Sequence, residues 1–231
     1  MHNIKYVFFD LDRTLWDFEA NSKATLEELF AEFDLKAKLG VDPTDFIDEY
    51  KRINEIFWTD YRNGIINKEE LRYARFEAAL KFFGHTDRKM ASDIGELYIS
   101  RSPKKTGLVD GAIDVLEYLR TKYELHIITN GFEEVQHIKM KSSGLDPYFG
   151  HVITSERAGA KKPDPRIYHF SAALTNATPE QSIMIGDHFE ADVFGAMEVG
   201  WKAVFYEPNE ARKTDVNYHH IHHLAELKDI L

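Results

Sequence analysis

Short runs of consecutive apolar residues recur along the chain and alternate with amphipathic segments. The runs cover residues 6–9, 125–128, 152–153, 183–185 and 203–206. Each run is rich in β-branched or aromatic residues and is bounded by polar residues or glycine, as is typical of strands buried on both faces. This pattern predicts five buried strands.

Helical signals lie between these strands. Amphipathic segments are expected over about 111–122, 133–143 and 191–199, and another is expected to begin at residue 165. Asp164-Pro165 is a helix cap followed by a proline in the first turn, and Gly144 and Gly200 follow the ends of two other segments. Strands that alternate with helices predict an α/β fold with a doubly wound parallel sheet.

The interval from about residue 21 to residue 99 has a different pattern, with consecutive helical segments and no strand-like run. One helical stripe consists of Phe46, Ile47, Tyr50, Ile53 and Phe57. We therefore predict a helical cap over residues 18–103. It is inserted after the first strand of an α/β core that comprises residues 1–17 and 104–231.

Composition narrows the possible partners and chemistry. The formal charge of −10 argues against a nucleic-acid polymer as ligand, since such ligands need clustered lysine and arginine. The chain has no cysteine, which excludes thiolate catalysis and thiolate metal sites. We find no signal peptide and no apolar run of the roughly 20 residues that span a bilayer. We expect a cytoplasmic monomer or homodimer with no membrane partner.

Two carboxylates follow the first predicted strand. Strand alternation places Asp10 and Asp12 on the same face where the chain leaves the sheet. Adjacent carboxylates repel each other unless a cation or a shared proton compensates. An isolated Asp-x-Asp triplet is more often structural, with one acid capping a turn, so this pair indicates chemistry only in combination with other clusters.

Three further polar clusters follow later strands or precede a helix. Thr129 and Asn130 form a small cradle for anionic oxygens, although Asn-Gly is also an ordinary turn signal. Lys162, directly before a proline, can neutralise a phosphate or a carboxylate, although exposed lysine pairs are common. Asp187 follows an apolar strand and a glycine, a suitable position for a Mg²⁺ ligand. Asp192 either supports that loop or caps the next helix. Ligands of open α/β sheets bind at the carboxyl ends of strands, so these clusters should face one crevice.

In this order and context the clusters resemble the haloacid dehalogenase (HAD) superfamily of phosphohydrolases. The matching residues are Asp10-Leu11-Asp12-Arg13-Thr14, Thr129, Lys162 and Gly186-Asp187 with Asp192. The resemblance extends over nearly the whole chain and includes the inserted cap. Arg13 stands where glycine is commoner and His188 where a small residue is common. Neither departure removes a catalytic group.

The resemblance implies a role for each cluster. Asp10 would attack phosphorus and form an aspartyl-phosphate, while Asp12 protonates the leaving oxygen and then activates water. Mg²⁺ would be bound by Asp10, Asp187 and the backbone carbonyl of Asp12, with Asp192 in support. Phosphoryl oxygens would be bound by Thr129, the amide of Asn130 and Lys162. An acidic protein can neutralise a transferring phosphoryl group only with a metal and a few placed donors, which agrees with this set.

The substrate implied is a small phosphorylated metabolite. Residues 12–19 with Asn21-Ser22 look similar to bacterial 5′-nucleotidases of this superfamily that act on pyrimidine nucleoside monophosphates. Candidate specificity residues are Trp16, Phe18, Asn21, Trp58, Tyr61 and Arg62, although cap aromatics often only fill a helical core.

Several alternatives remain. A phosphosugar mutase shares all four clusters, and a sugar-phosphate phosphatase of the same superfamily is a further candidate. The alternative of another class is a non-catalytic phosphate-sensing or partner-binding protein that keeps the fold, and the intact Asp10, Asp12, Lys162 and Asp187 argue against it. Asp12 argues against a metal-free 2-haloacid dehalogenase. The histidine-rich segment 219–223 is interpreted as a terminal strand with exposed imidazoles rather than as a zinc site, because adjacent histidines alternate faces on a strand.

Overall fold

A computed structural model describes residues 3–208 and 217–231 of the chain. Contacts divide the protein into two compact units. One comprises Met1–Phe18 and Thr106–Leu231, and the other comprises Glu19–Lys105. We call the first the core unit and the second the cap unit. In the sequence, the cap unit interrupts the core unit after its first strand.

The core unit contains a six-stranded parallel sheet in the order β3-β2-β1-β4-β5-β6. Its strands are β1 (Tyr6–Phe9), β2 (Glu124–Thr129), β3 (His151–Thr154), β4 (Ser182–Gly186), β5 (Lys202–Tyr206) and β6 (His219–Ile221). The predicted fold class is confirmed. The strand order reverses direction between β1 and β4, and ligands of such sheets bind at this switch.

The cap unit is helical throughout its described elements. Its helices are α1 (Phe18–Glu32), which begins at the unit boundary, α2 (Leu35–Leu39), α3 (Pro43–Arg62), α4 (Lys68–Phe82) and α5 (Arg88–Arg101). Asn67 forms a capping box with Glu70 at the start of α4. The predicted stripe on α3 is partly buried: Phe46 and Tyr50 lie in the interior of the unit, and Tyr50 stacks on Phe76 with ring centroids 4.9 Å apart.

Helices of the core unit lie between the strands and after the last one. They are α6 (Ala112–Leu119), α7 (Glu133–Ser142), α8 (Ser155–Ala158), α9 (Pro165–Thr175), α10 (Gly195–Glu198) and α11 (Leu227–Ile230). The helix predicted over 191–199 is wrong in its first half, because Phe189–Phe194 forms a π-helical turn before α10. Such turns widen a helix locally and occur frequently at functional sites. Here the turn allows the Asp192 side chain to accept a hydrogen bond from the His188 backbone at 3.0 Å.

Both faces of the sheet are buried, which explains the nearly continuous apolar runs in the sequence. Val7 and Phe9 point to one face with Ile127 and Ile185, and α6 packs there through its buried stripe. The opposite face includes Phe8 and is covered by Tyr168 of α9 among others. This arrangement holds the carboxyl ends of the central strands in fixed register.

The histidine-rich segment differs from its prediction in one respect. His219 is exposed, but His220 is buried and packs against Phe205 with ring centroids 5.1 Å apart. The predicted strand is present. The prediction that all of its imidazoles are exposed was wrong, because the face of β6 that carries His220 packs against Phe205 of the neighbouring strand. Within the described chain no helix combines the length and apolar character that a membrane crossing requires.

Candidate active site

Asp10 lies immediately after β1, at the point where the strand order switches. Its backbone N–H donates to the carbonyl of Ile185 at 2.8 Å, which continues the β1–β4 register one residue beyond the strand. The side chain is only 8% exposed. Parallel pairing therefore delivers a buried carboxylate to the crevice between β1 and β4.

Lys162 neutralises this carboxylate. Its Nζ atom donates to Asp10 Oδ1 at 2.6 Å, to Asp192 Oδ1 at 2.5 Å and to the Ile128 carbonyl at 2.7 Å. The side chain is 2% exposed, so all three ammonium protons are bonded away from solvent. Asn130 holds the lysine backbone in place, since its amide group donates to the Lys162 carbonyl at 2.9 Å and its carbonyl accepts from the Lys162 N–H at 2.8 Å.

Three carboxylates converge beside this lysine. Oxygen atoms of Asp10, Asp187 and Asp192 all lie within 4.8 Å of one another, the one such group in residues 3–208 and 217–231 that can hold a metal ion. Mg²⁺ prefers hard oxygen ligands, and three carboxylates exceed the charge of one ammonium. The donor set therefore fits Mg²⁺. The Asp12 contribution predicted for this site is its backbone carbonyl, and it stays a prediction.

Close backbone approach allows the third carboxylate to enter the cluster. A Cβ atom on Gly186 would lie 2.3 Å from Oδ2 of Asp192, so any larger residue at this position would displace that carboxylate. Thr14 adds a hydrogen bond of 3.3 Å from its hydroxyl to Oδ1 of Asp187. A glycine is therefore required before Asp187 for steric reasons, and the sequence pattern at the end of the strand does not show this.

The charge balance of the cluster alters its protonation. Burial raises the pKa of Asp10 to about 7; Lys162 opposes the shift, and the charges of Asp192 and Asp12 add to it. Burial also raises the pKa of Asp187 well above its usual value, with Asp10 and Asp192 acting in the same direction. Burial alone would lower the pKa of Lys162, but the two carboxylates outweigh it and raise that pKa. These carboxyl groups therefore bind protons more readily than exposed ones do, and a divalent cation would compete with those protons.

Asp12 points toward α7 rather than into the carboxylate cluster. Its Oδ1 accepts from Lys139 Nζ at 2.5 Å and its Oδ2 accepts from Gln136 Nε2 at 2.9 Å. The sequence prediction missed Gln136 and Lys139. No sequence signal indicated them, because Lys and Gln of an amphipathic helix are expected on its exposed face, whereas both are buried here beside Met140.

The Thr129 hydroxyl lies in the same network. It accepts from the Gly131 N–H at 3.0 Å and from Gln136 Nε2 at 2.7 Å. The hydroxyl proton remains as its donor for an anionic oxygen. The predicted phosphate-binding residues therefore make different contacts. Thr129 shares the Gln136 amide with Asp12, whereas the Asn130 side chain bonds to the backbone of Lys162.

Arg13 occupies a backbone conformation that explains why glycine is commoner there. Its φ is +65°, in the left-handed region that disfavours side chains with a Cβ. The guanidinium lies 4.8 Å above the ring centroid of Phe18, and its charge lowers the pKa of Asp187, although the larger effects named above raise it. Arg13 therefore adds positive charge near the carboxylate cluster.

The candidate specificity residues fall into two groups. Trp16 is fully buried in the core unit, where Lys139 Nζ lies 4.4 Å from its ring centroid, and Phe18 is half-buried. The other candidates belong to the cap unit: Asn21 and Tyr61 are buried, Trp58 and Arg62 are half-buried, and the Trp58 ring meets that of Tyr61 edge-on at 5.7 Å. Their role in specificity stays a prediction.

Two relatives of known activity resemble this chain over most of its length. The pyrimidine 5′-nucleotidase PynA of Streptococcus pneumoniae is 32% identical over 207 residues, which cover 89% of this chain and 84% of PynA. The pyrimidine 5′-nucleotidase YjjG of Escherichia coli is 31% identical over 198 residues, covering 84% of this chain and 82% of YjjG. Similarity over such shares of both chains indicates a common domain organisation.

A crystal structure and a family profile lead to the same assignment. The magnesium-bound HAD-hydrolase YfnB of Bacillus subtilis superimposes with a TM-score of 0.88 at 27% identity, covering 99% of this chain and 98% of YfnB. The profile of the haloacid dehalogenase-like hydrolases matches residues 4–200. This range includes all four polar clusters and most of the chain. The chain therefore belongs to the haloacid dehalogenase-like hydrolase family, as the sequence motifs predicted.

Proposed function

We propose that this protein is a Mg²⁺-dependent phosphatase that hydrolyses nucleoside 5′-monophosphates through an aspartyl-phosphate on Asp10. One observation carries the proposal. The buried Asp10 carboxylate accepts from Lys162, and its oxygens lie within 4.8 Å of those of Asp187 and Asp192, at the strand-order switch where such sheets bind ligands. A nucleophile, a fixed cation and a metal-binding set therefore share one crevice.

The first half of the reaction forms a bond between Asp10 and phosphorus. Lys162 holds Oδ1 of Asp10 at 2.6 Å, which leaves Oδ2 to attack. The P–O bond to the leaving alcohol breaks, and Asp12 donates a proton to that oxygen. Thr129 binds a phosphoryl oxygen during transfer. Lys162 contributes its positive charge beside the phosphoryl group, since its three protons are bonded to Asp10, Asp192 and the Ile128 carbonyl. Bound Mg²⁺ would neutralise the phosphoryl charge and orient it against the nucleophile.

The second half regenerates the enzyme. Asp12 accepts a proton from a water molecule, and the water oxygen attacks phosphorus and displaces the Asp10 carboxylate. Inorganic phosphate leaves, and Asp12 carries the proton for the next turnover. Dividing hydrolysis through a covalent carboxylate intermediate is an established nucleophilic strategy.

The nucleotide assignment is supported by the relatives. PynA and YjjG are both pyrimidine 5′-nucleotidases, and each resembles this chain across both of its units. A pyrimidine nucleoside monophosphate is accordingly the substrate we propose. Trp58, Tyr61 and Arg62 of the cap unit are proposed as specificity residues, in addition to Asn21 and, from the core unit, Phe18.

The test is phosphate release from a panel of phosphorylated metabolites with and without Mg²⁺. We expect nucleoside monophosphates to be hydrolysed fastest and EDTA to stop the reaction. Preferred hydrolysis of sugar phosphates would contradict the nucleotide assignment. Isomerisation of a phosphosugar without phosphate release would indicate a mutase, and no reaction with any phosphomonoester would contradict the proposed phosphatase.

Asp10→Asn tests the nucleophile. An amide is a poor nucleophile, so we expect turnover to fall below detection. The thermal unfolding midpoint should stay above the assay temperature, which shows that the variant is folded when it is assayed. Asp114→Asn makes the same chemical change at an exposed position on α6 and should leave turnover unchanged. Retained activity in purified Asp10→Asn protein would refute the assignment of Asp10.

A further inference from the structure

Helix α7 carries two buried polar side chains that the proposed reaction does not otherwise use. Gln136 is fully buried and Lys139 is 6% exposed. They are three residues apart, so they lie on the same face of the helix. Burying a lysine and an amide costs several kcal/mol unless both are bonded, and their partners identify what they do.

Both side chains bond to the Asp12 carboxylate. Lys139 Nζ donates to one oxygen at 2.5 Å, and Gln136 Nε2 donates to the other at 2.9 Å. Because each oxygen has its own donor, the carboxylate plane cannot rotate without breaking a bond. The Asp12 side chain is itself 28% exposed, so without these donors it would be free to turn toward solvent.

We propose that Lys139 and Gln136 are positioning residues that hold the Asp12 carboxylate in the orientation required for activating water. The inference rests on the proposed function and adds two residues to it. The hydrolysis of the aspartyl-phosphate is therefore the step that depends most on this pair.

The lysine is itself held in place. Its Nζ lies 4.4 Å from the ring centroid of the fully buried Trp16, and an ammonium over an indole face is attracted to it. The pairing between Lys139 and Asp12 joins residues that are 127 positions apart in the sequence. The contact thus ties α7 to the loop after β1.

Gln136 extends the network to the Thr129 hydroxyl. The same Nε2 atom donates to Thr129 Oγ1 at 2.7 Å, so one amide group fixes both the proposed base and the proposed phosphate-binding hydroxyl. The backbone makes room for it, since a Cβ atom on Gly131 would lie 2.2 Å from Nε2. The Oε1 atom of Gln136 has no partner among the described residues, so the hydrogen bonds of this amide are the two that its Nε2 atom donates.

Lys139→Met is the central variant, because methionine keeps much of the buried volume and removes the charge. The assay uses p-nitrophenyl phosphate with Mg²⁺. Its leaving group needs no proton, so kcat/KM reports the formation of the aspartyl-phosphate without help from Asp12. The value of kcat includes the hydrolysis of that intermediate. Loss of a positioned general base typically slows its step by about 10²–10⁴-fold.

We expect kcat of Lys139→Met to fall by about 10²-fold while kcat/KM changes by less than about 10-fold. A burst of p-nitrophenol should appear, and acid quenching should trap phosphorylated protein that mass spectrometry can detect. Gln136→Met should show the same split. Lys141→Met removes an equivalent charge from an exposed position of α7 and should match the wild type.

Two measurements separate this role from a structural one. The double variant Asp12→Asn/Lys139→Met should be no slower than Asp12→Asn alone, because coupled residues do not contribute additively. Equal losses in kcat and kcat/KM without a trapped intermediate, or unchanged kcat in folded Lys139→Met, would overturn the inference. Wild-type protein that hydrolyses no phosphomonoester would refute the proposed function, and the inference with it.

Discussion

Lys162 carries the positive charge on which two buried carboxylates depend. Its ammonium donates to Asp10, Asp192 and a backbone carbonyl, and all three partners are far away in the sequence. Lys162→Met keeps a chain of similar length and removes both the charge and the three donors. The variant should therefore be less stable than the wild type, and the loss should depend on pH.

The magnitude follows from the geometry. Removing one partner of a buried ion pair destabilises a protein by about 3–5 kcal/mol, because the other charge is left uncompensated. Here two carboxylates lose the same cation, so we expect a value near the upper end at pH 8. For a chain of this size, 1 kcal/mol corresponds to about 2–4 °C in the unfolding midpoint. The midpoint should thus fall by about 10 °C or more.

The pH dependence follows from the pKa of Asp10. Burial raises that pKa to about 7 although Lys162 opposes the shift, so removing Lys162 raises it further. A carboxyl group whose pKa is higher in the folded than in the unfolded protein binds its proton more tightly when folded, and stability then falls as pH rises. At pH 5 the Asp10 carboxyl group of the variant is protonated, so it carries no negative charge that the missing ammonium would have to compensate. The loss should therefore be smaller at pH 5 than at pH 8.

The assay is thermal unfolding followed by circular dichroism in EDTA at pH 5 and pH 8. Lys161→Met is the matched control, since the adjacent side chain is half-buried and its ammonium makes none of these three bonds. Equal midpoints of Lys162→Met and wild type at pH 8, or a larger loss at pH 5, would refute the reasoning.

Two further predictions concern other parts of the core unit. In Gly186→Ala the new Cβ would lie 2.3 Å from Asp192 Oδ2 and displace that carboxylate. We therefore expect the Mg²⁺ concentration for half-maximal activity to rise at least about 10-fold, and an unchanged Mg²⁺ titration would contradict this. Burial and the charge of His151 lower the pKa of His126 to about 4, so the unfolded chain binds a proton there more readily than the folded protein. The free energy of unfolding should therefore fall by about 2 kcal/mol more in the wild type than in His126→Phe between pH 7 and pH 5. Urea unfolding of both proteins at the two pH values measures this difference, and parallel pH dependences would refute it.

The fold was largely predictable from the sequence because its signals are local. The five predicted strands all exist, and four of them extend the predicted runs by one residue or more at one end or at both, because strand ends include polar residues such as Ser182 and Lys202. Helix bounds were less accurate: α6 ends at Leu119 rather than near residue 122. The π-helical turn at Phe189–Phe194 could not be predicted, since its periodicity differs from that of an α-helix only over a single turn.

The sequence by itself determined the identity of the main polar clusters and their common location, because parallel strands bring their carboxyl ends to the same edge of a sheet. Only the tertiary structure decided which side chains meet: Lys162 bridges Asp10 and Asp192, while Asp12 turns away to Lys139 and Gln136. The physical reason is that periodicity along the chain specifies the face of each element. A contact between residues far apart in sequence depends instead on the packing of whole elements and on side-chain directions that no local pattern encodes.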